Sequence, residues 1–174
     1  MTQKRANVFG LGLIGGSLGL ALISRGWHVT GCDSVGDIER QALSLGIIHQ
    51  IGVDRDADIT FVATPVSSIA EQVVRALTET TGLVTDVGGV KAHLVGQIND
   101  PRFIGGHPMA GSELIGLAGA DAKLFESAVW VLTPSVGISD SNFEQVAGVV
   151  TELGSEIVVL DPQRHDQLVA IVSH

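Results

Sequence analysis

Ala6-Asn7-Val8-Phe9-Gly10-Leu11-Gly12-Leu13-Ile14-Gly15-Gly16-Ser17 carries a short apolar run into a glycine loop and out into a helical pattern. Each glycine of the G-x-G-x-x-G spacing has its own reason. Gly10 permits a tight turn, Gly12 lets a pyrophosphate come up against the backbone, and Gly15 lets the helix pack close to the strand. The start of that helix offers free N–H groups and a partial positive charge to phosphate oxygens, with Leu13 and Ile14 in its first turn. Glycine turns are common, so the loop alone is weak evidence. A strand entering it and a helix leaving it make it a dinucleotide-binding signature.

Outward from the loop, strand and helix patterns alternate along the chain. Apolar runs predict strands over 6–9, 28–32, 59–63, 83–87, 102–105, 129–133 and 156–160, and helical spacing covers 18–24, 38–45, 68–77, 92–98 and 142–153. Continuous apolar strands between helices imply a parallel sheet covered on both faces. The expected fold is α/β, a Rossmann-type doubly wound, mostly parallel sheet. Asp33 ends the second strand, where a carboxylate accepts hydrogen bonds from the adenosine ribose hydroxyls. A 2′-phosphate would meet Asp33 as like charge, and Ser34-Val35-Gly36 brings no arginine, so the cofactor is expected to be NAD, with NADP disfavoured. The bland reading of Asp33 is a turn-former at a strand end. Neighbouring Cys32 reads as a small buried hydrophobe.

Composition narrows the classes. Ten Lys and Arg stand against nineteen Asp and Glu, a formal charge of −9, the opposite of a nucleic-acid binder. No run of 18 apolar residues occurs, which excludes a membrane-spanning helix, and the N-terminal apolar run enters a glycine loop instead of a cleavage site. One cysteine supports neither a disulfide framework nor a cysteine zinc site, and fits a reducing cytoplasm. No metal site is expected. Residues 1–161 read as one dinucleotide-binding domain. Residues 162–174 open a further helix, capped by Asp161 and started by Pro162. Its apolar face, Leu168, Val169, Ile171 and Val172, breaks off in mid-pattern at His174 and is expected to lead into another domain.

Of the histidines, His28, His49 and His93 sit in polar or strand-start surroundings with surface roles as the default. His107 lies in Gly105-Gly106-His107-Pro108-Met109-Ala110-Gly111-Ser112, just past an apolar strand. Ligands of open parallel sheets bind beyond the carboxyl ends of the strands, and imidazole takes a proton near neutrality. From the residues alone His107 is either a general base or a loop-capping histidine.

The glycine loop, then Thr85-Asp86-Val87-Gly88-Gly89-Val90-Lys91, then Gly106-His107-Pro108-Met109-Ala110-Gly111, Val131-Leu132-Thr133-Pro134 and the closing His165-Asp166 … Val172-Ser173-His174 resemble the prephenate/arogenate dehydrogenase family in order and spacing. The resemblance implies the NAD-binding part of a tyrosine-biosynthesis oxidoreductase. There His107 accepts the ring-hydroxyl proton as hydride leaves for the nicotinamide, and loss of CO2 completes an aromatic ring. It also implies Thr64, Pro65, Asp86 and Gly88 at the cofactor and Ser112 and His174 at the substrate. Lys91 matches a family lysine, with a solvent-facing first-turn lysine as the plainer alternative. Gly89 departs from the pattern, which has a serine there whose hydroxyl helps orient the histidine. The family continues into a helical domain that makes a homodimer and carries an arginine for the substrate carboxylate. Two alternatives stay open: a non-catalytic NAD-binding or sensing module, and a small-acid dehydrogenase of the beta-hydroxyacid type.

Overall fold

The computed structural model describes residues 2–172. Among the described residues eight strands form one sheet: β1 (Arg5–Phe9), β2 (His28–Cys32), β3 (Gln50–Ile51), β4 (Ile59–Val62), β5 (Leu83–Asp86), β6 (Phe103–Pro108), β7 (Val129–Thr133) and β8 (Glu156–Val159). Their order is β3-β2-β1-β4-β5-β6-β7-β8. All neighbours pair in parallel except β6 and β7, which are antiparallel. The helices are α1 (Leu13–Ile23), α2 (Gly36–Ser44), α3 (Val66–Glu79), α4 (Ala92–Gln97), α5 (Asp140–Glu152) and α6 (Pro162–Val172). This is the doubly wound, mostly parallel sheet that the alternation predicts. None of the described helices is long and apolar enough to cross a membrane.

Period-2 alternation on the strands feeds two cores. Val8, Phe61, Leu132 and Trp130 pack with Leu18 and Leu22 of α1 and Val146 and Val150 of α5. Phe9, Val62, Val84 and Phe103 point the other way, onto Val73 of α3 and Leu94 of α4. Strands buried on both faces show this near-continuous apolar pattern. The order reverses between β1 and β4, since the chain winds outward from β1 in one direction and from β4 in the other. Such a switch point opens a crevice at the carboxyl ends of the strands.

Helix α1 and strand β6 run further than the sequence indicates for reasons that bear on the site. Helix α1 begins at Leu13, five residues before the apolar spacing starts, through Gly15, Gly16 and Ser17. Glycine is a poor helix former, but these residues are buried and close approach requires them small. A Cβ on Gly16 would lie 2.8 Å from Leu117, and one on Gly19 2.3 Å from the Ile47 carbonyl oxygen. Strand β6 extends through His107 and Pro108 because β7 pairs with it, His107 opposite Val131 and Pro108 opposite Trp130. His107 therefore stands within the strand and not beyond it. The two-residue β3 was not indicated by the sequence.

Candidate active site

A cleft of about 720 Å³ opens at the switch point, the size range of small-ligand sites. Gly10, Gly12, Leu13 and Ile14 line it after β1, Asp33 and Ser34 after β2, Thr64 and Pro65 after β4, and Gly88 and Gly89 after β5. The three loop glycines do three different things. Gly10 has φ +87°, and a Cβ there would lie 2.6 Å from the Ala63 carbonyl oxygen. Gly15 is packed so tightly that a Cβ would fall 1.8 Å from the Gly10 carbonyl oxygen. Gly15 therefore supports the loop from behind and does not line the cleft. Above Gly12 there is open space within 4 Å. As the N-cap of α1 it supplies no side-chain partner, so the first N–H groups of the helix face the cleft uncapped. An uncapped helix start over open space suits an anion.

Asp33 sits at the end of β2 with both carboxylate oxygens engaged. Oδ2 accepts from the Leu11 N–H at 2.8 Å and Oδ1 from the Val35 N–H at 3.0 Å. It ties the glycine loop to the segment after β2 and lines the cleft. Beside it stands Arg75 of α3, a cation that the local sequence around Asp33 does not reveal. Its guanidinium lies 5.0 Å from the Phe9 ring centroid and bonds Glu79 at 2.9 Å. Cys32 is buried, and burial pushes its thiol up to about 11 against the pull of Arg75, so it is an inert hydrophobe.

Asp86 and Lys91 form a fully buried ion pair behind the cleft. Lys91 is thus neither solvent-facing nor free to meet a substrate. Asp86 lies beneath the cleft wall, with its carboxylate also taking the Gly88 N–H at 2.8 Å and the Gly106 N–H at 3.1 Å. Burial pushes the Asp86 pKa up and the Lys91 pKa down, while their pairing pulls each back. The pair braces the Gly88-Gly89 loop against β6, the strand that carries His107. Breaking such a pair strands a buried charge, at about 3–5 kcal/mol.

His107 faces the Gly88-Gly89 loop on one side. A Cβ on Gly89 would sit 3.6 Å from both His107 Nε2 and Cε1. On its other side Nδ1 lies 2.9 Å from Nε2 of His165, a residue of α6 that is 1% exposed. His165 Nδ1 lies 2.7 Å from Asp166 Oδ1. Burial lowers the His107 pKa to about 4, helped by His165 and Lys91 and opposed by Asp166. The imidazole is therefore neutral near pH 7. The sequence marks His165-Asp166 as a motif but gives no sign that α6 folds back onto α4 and β7 to deliver it. Asp161 caps that helix as read, accepting from the Gln163 and Arg164 N–H groups. Ser112 is exposed, and its hydroxyl accepts from the Leu114 N–H at 3.1 Å, turned toward its own loop. His174 lies outside the described residues. Among those described, no cluster of His, Cys, Asp or Glu suits a metal ion.

Fold, glycine loop and open helix start together define a nucleotide-binding domain of the doubly wound class. Residues 18–159 match the family described as prephenate dehydrogenase, nucleotide-binding domain, and the chain belongs to that family. It is 33% identical to prephenate dehydrogenase of Bacillus subtilis, covering 100% of this chain and 52% of that protein. Against prephenate dehydrogenase of Lactococcus lactis the identity is 32%, over 99% and 51%. The chain thus spans about half the length of these curated relatives. Arogenate dehydrogenase of Synechocystis superposes with a TM-score of 0.90 at 34% identity, covering 98% of this chain and 64% of that one. Prephenate dehydrogenase of A. aeolicus, solved with hydroxyphenyl propionate and NAD+, gives 0.91 at 27% identity, over 100% and 65%.

Proposed function

We propose that this chain is the cofactor-binding part of an NAD-dependent dehydrogenase that oxidatively decarboxylates prephenate or arogenate, in a cytoplasmic enzyme that dimerises through a following helical domain. The observation that carries the reading is a neutral, half-buried His107 held against Gly89, a residue of the cleft lining. The relatives' names supply the substrate class. The open start of α1 takes the pyrophosphate. Asp33 takes the adenosine ribose hydroxyls and repels a 2′-phosphate, while Arg75 is occupied by Glu79. Gly89 stands beside His107, and with Thr64, Pro65 and Gly88 of the cleft lining it holds the nicotinamide. The cofactor, when bound, accepts the hydride.

His107 does the acid–base work. It takes the proton of the substrate's ring hydroxyl as the carbonyl forms, a contribution of about 10²–10⁴-fold for a positioned base. Its low pKa keeps it unprotonated and ready. Its rigid mounting on β6, braced by Asp86 through Gly106, keeps it at one distance from the loop. In the turnover-competent protein, His107→Asn should lower kcat by about 10²–10⁴-fold and leave NAD affinity within about twofold. Full activity in that variant refutes the role, and loss of NAD binding would make His107 a structural residue.

A further inference from the structure

Among the described residues, Gly89 leaves His107 without a side-chain partner on the cleft side, and the group that meets its imidazole stands behind it. A neutral imidazole carries its hydrogen on one nitrogen and a lone pair on the other, and the partner of one nitrogen decides the state of both. Resting on the reading of His107 as the base, we propose that Asp166 acts through His165 to hold His107 in the Nδ1–H tautomer, leaving Nε2 bare toward Gly89 as the atom that accepts the substrate proton. His165 and Asp166 are then positioning residues and His107 the catalytic one.

With one hydrogen on each ring, the hydrogen bonds admit one order. Asp166 Oδ1 accepts from the Lys91 N–H at 2.8 Å and Oδ2 from the Ala92 N–H at 2.9 Å, and Oδ1 also meets His165 Nδ1. Burial works against this carboxylate, but the Ala92 and Lys91 N–H groups and His165 outweigh it and keep it ionised. An ionised carboxylate only accepts, so His165 Nδ1 carries the hydrogen. With a single hydrogen on the ring, His165 has a bare Nε2, which accepts from His107 Nδ1–H across 2.9 Å. One hydrogen remains for His107 and it is spent, so Nε2 is free.

The groups facing His107 are His165 and Asp166 from α6 and Lys91 at the start of α4, itself paired to Asp86 of β5. One extra proton on the pair of imidazoles reverses the logic. Whether it resides on His165 or on His107, Nε2 of His107 ends up protonated and cannot act as a base. Turnover therefore requires the singly protonated form of each ring.

Two-bond ¹⁵N–¹H spectra of the chain labelled at histidine nitrogen test the tautomers without any need for turnover. At pH 7.5 both His107 and His165 should show a protonated Nδ1 and a bare Nε2. A protonated Nε2 on His107 overturns the proposal, whatever the variants do. Kinetics in the turnover-competent protein give a second reading. His165→Leu removes the acceptor and should lower kcat about 10–100-fold, the usual cost of losing an orienting partner, with KM for NAD unchanged. His165→Gln can place an amide oxygen near the same point and should retain more of kcat than the leucine variant. Equal rates for the two variants, or a leucine variant at the wild-type rate, overturn the role of His165. His107→Asn in the same assay separates this from the parent reading. Loss of turnover there with none in His165→Leu removes only the positioning role, whereas retained turnover in His107→Asn removes the base itself.

Discussion

Asp33 illustrates how one side chain serves loop structure and ligand choice together. Its carboxylate already fastens Leu11 and Val35 by their N–H groups, so it stands preorganised where ribose hydroxyls would donate. A charge-assisted bond of this kind is worth about 1.5–3 kcal/mol. Asp33→Ser should therefore weaken NAD by roughly tenfold or more and narrow the gap to NADP, measured by calorimetric titration of both. Equal affinities in the unaltered chain would remove Asp33 as the selector. At His107 burial sets the pH behaviour. Its folded pKa of about 4 lies below the ordinary 6.5, so the unfolded chain takes up the proton first. The stability contributed by neutral His107 is present above pH 6.5 and declines as pH falls toward 4. The acid limb of kcat/KM should mark the first extra proton taken up by the coupled His107–His165 pair. Gly89→Ser fits without a clash, since its Cβ would stand 3.6 Å from Nε2. A hydroxyl there bonds the imidazolium more strongly than the neutral ring, so the acid limb should move to higher pH. An unmoved profile would mean that the hydroxyl does not reach the ring.

At the scale of elements, the start of α1 separates ligand glycines from packing glycines. Gly12 is the N-cap at φ −79° with open space above it, so Gly12→Ala should fold with stability within about 0.5 kcal/mol while a methyl group intrudes on the phosphate site. NAD affinity should drop and the urea midpoint should hold. Gly15→Ala should do the reverse, because its methyl group meets the Gly10 carbonyl. It should destabilise the fold by more than the ordinary ~1–3 kcal/mol of overpacking. Comparable unfolding midpoints for the two variants would contradict this division. The same logic explains β6. Gly105 and Gly106 are weak strand formers, yet a Cβ would lie 2.4 Å from Thr133 Oγ1 at the first and 2.7 Å from the Asp86 carbonyl oxygen at the second. The strand persists there because β7 supplies its hydrogen bonds and nothing larger fits.

Across the whole molecule, cofactor recognition and substrate recognition are unequally represented. The cleft, the open helix start and the acidic strand end converge at one switch point. The two basic residues that sequence places near His107 are both committed: Lys91 to Asp86 in the interior, Arg102 to Asp100 and to the Thr80 and Leu77 carbonyls. A substrate with two carboxylates needs a free cation, best a bidentate arginine. The chain by itself should therefore bind NAD but show no reduction of NAD with prephenate or arogenate. Turnover at about 1–10³ s⁻¹ would show that this domain is catalytically sufficient.

Local chemistry made the glycine loop, its strand and helix, the Asp33 position and the Asp161 cap readable in the sequence, because each rests on backbone conformation, periodicity or a neighbour a few residues away. The alternation of strands and helices likewise announced a doubly wound sheet, since burial on both faces leaves its mark on every strand. The buried Asp86–Lys91 pair, the entry of Arg75 into the cleft and the chain from His107 through His165 to Asp166 were decided only by tertiary structure. Each joins residues from different elements, and the last spans β6 and α6 across 58 positions. An exposed lysine and a buried one have the same letter in the sequence; only packing determines which desolvated charge meets which partner, and so which histidine nitrogen is left free.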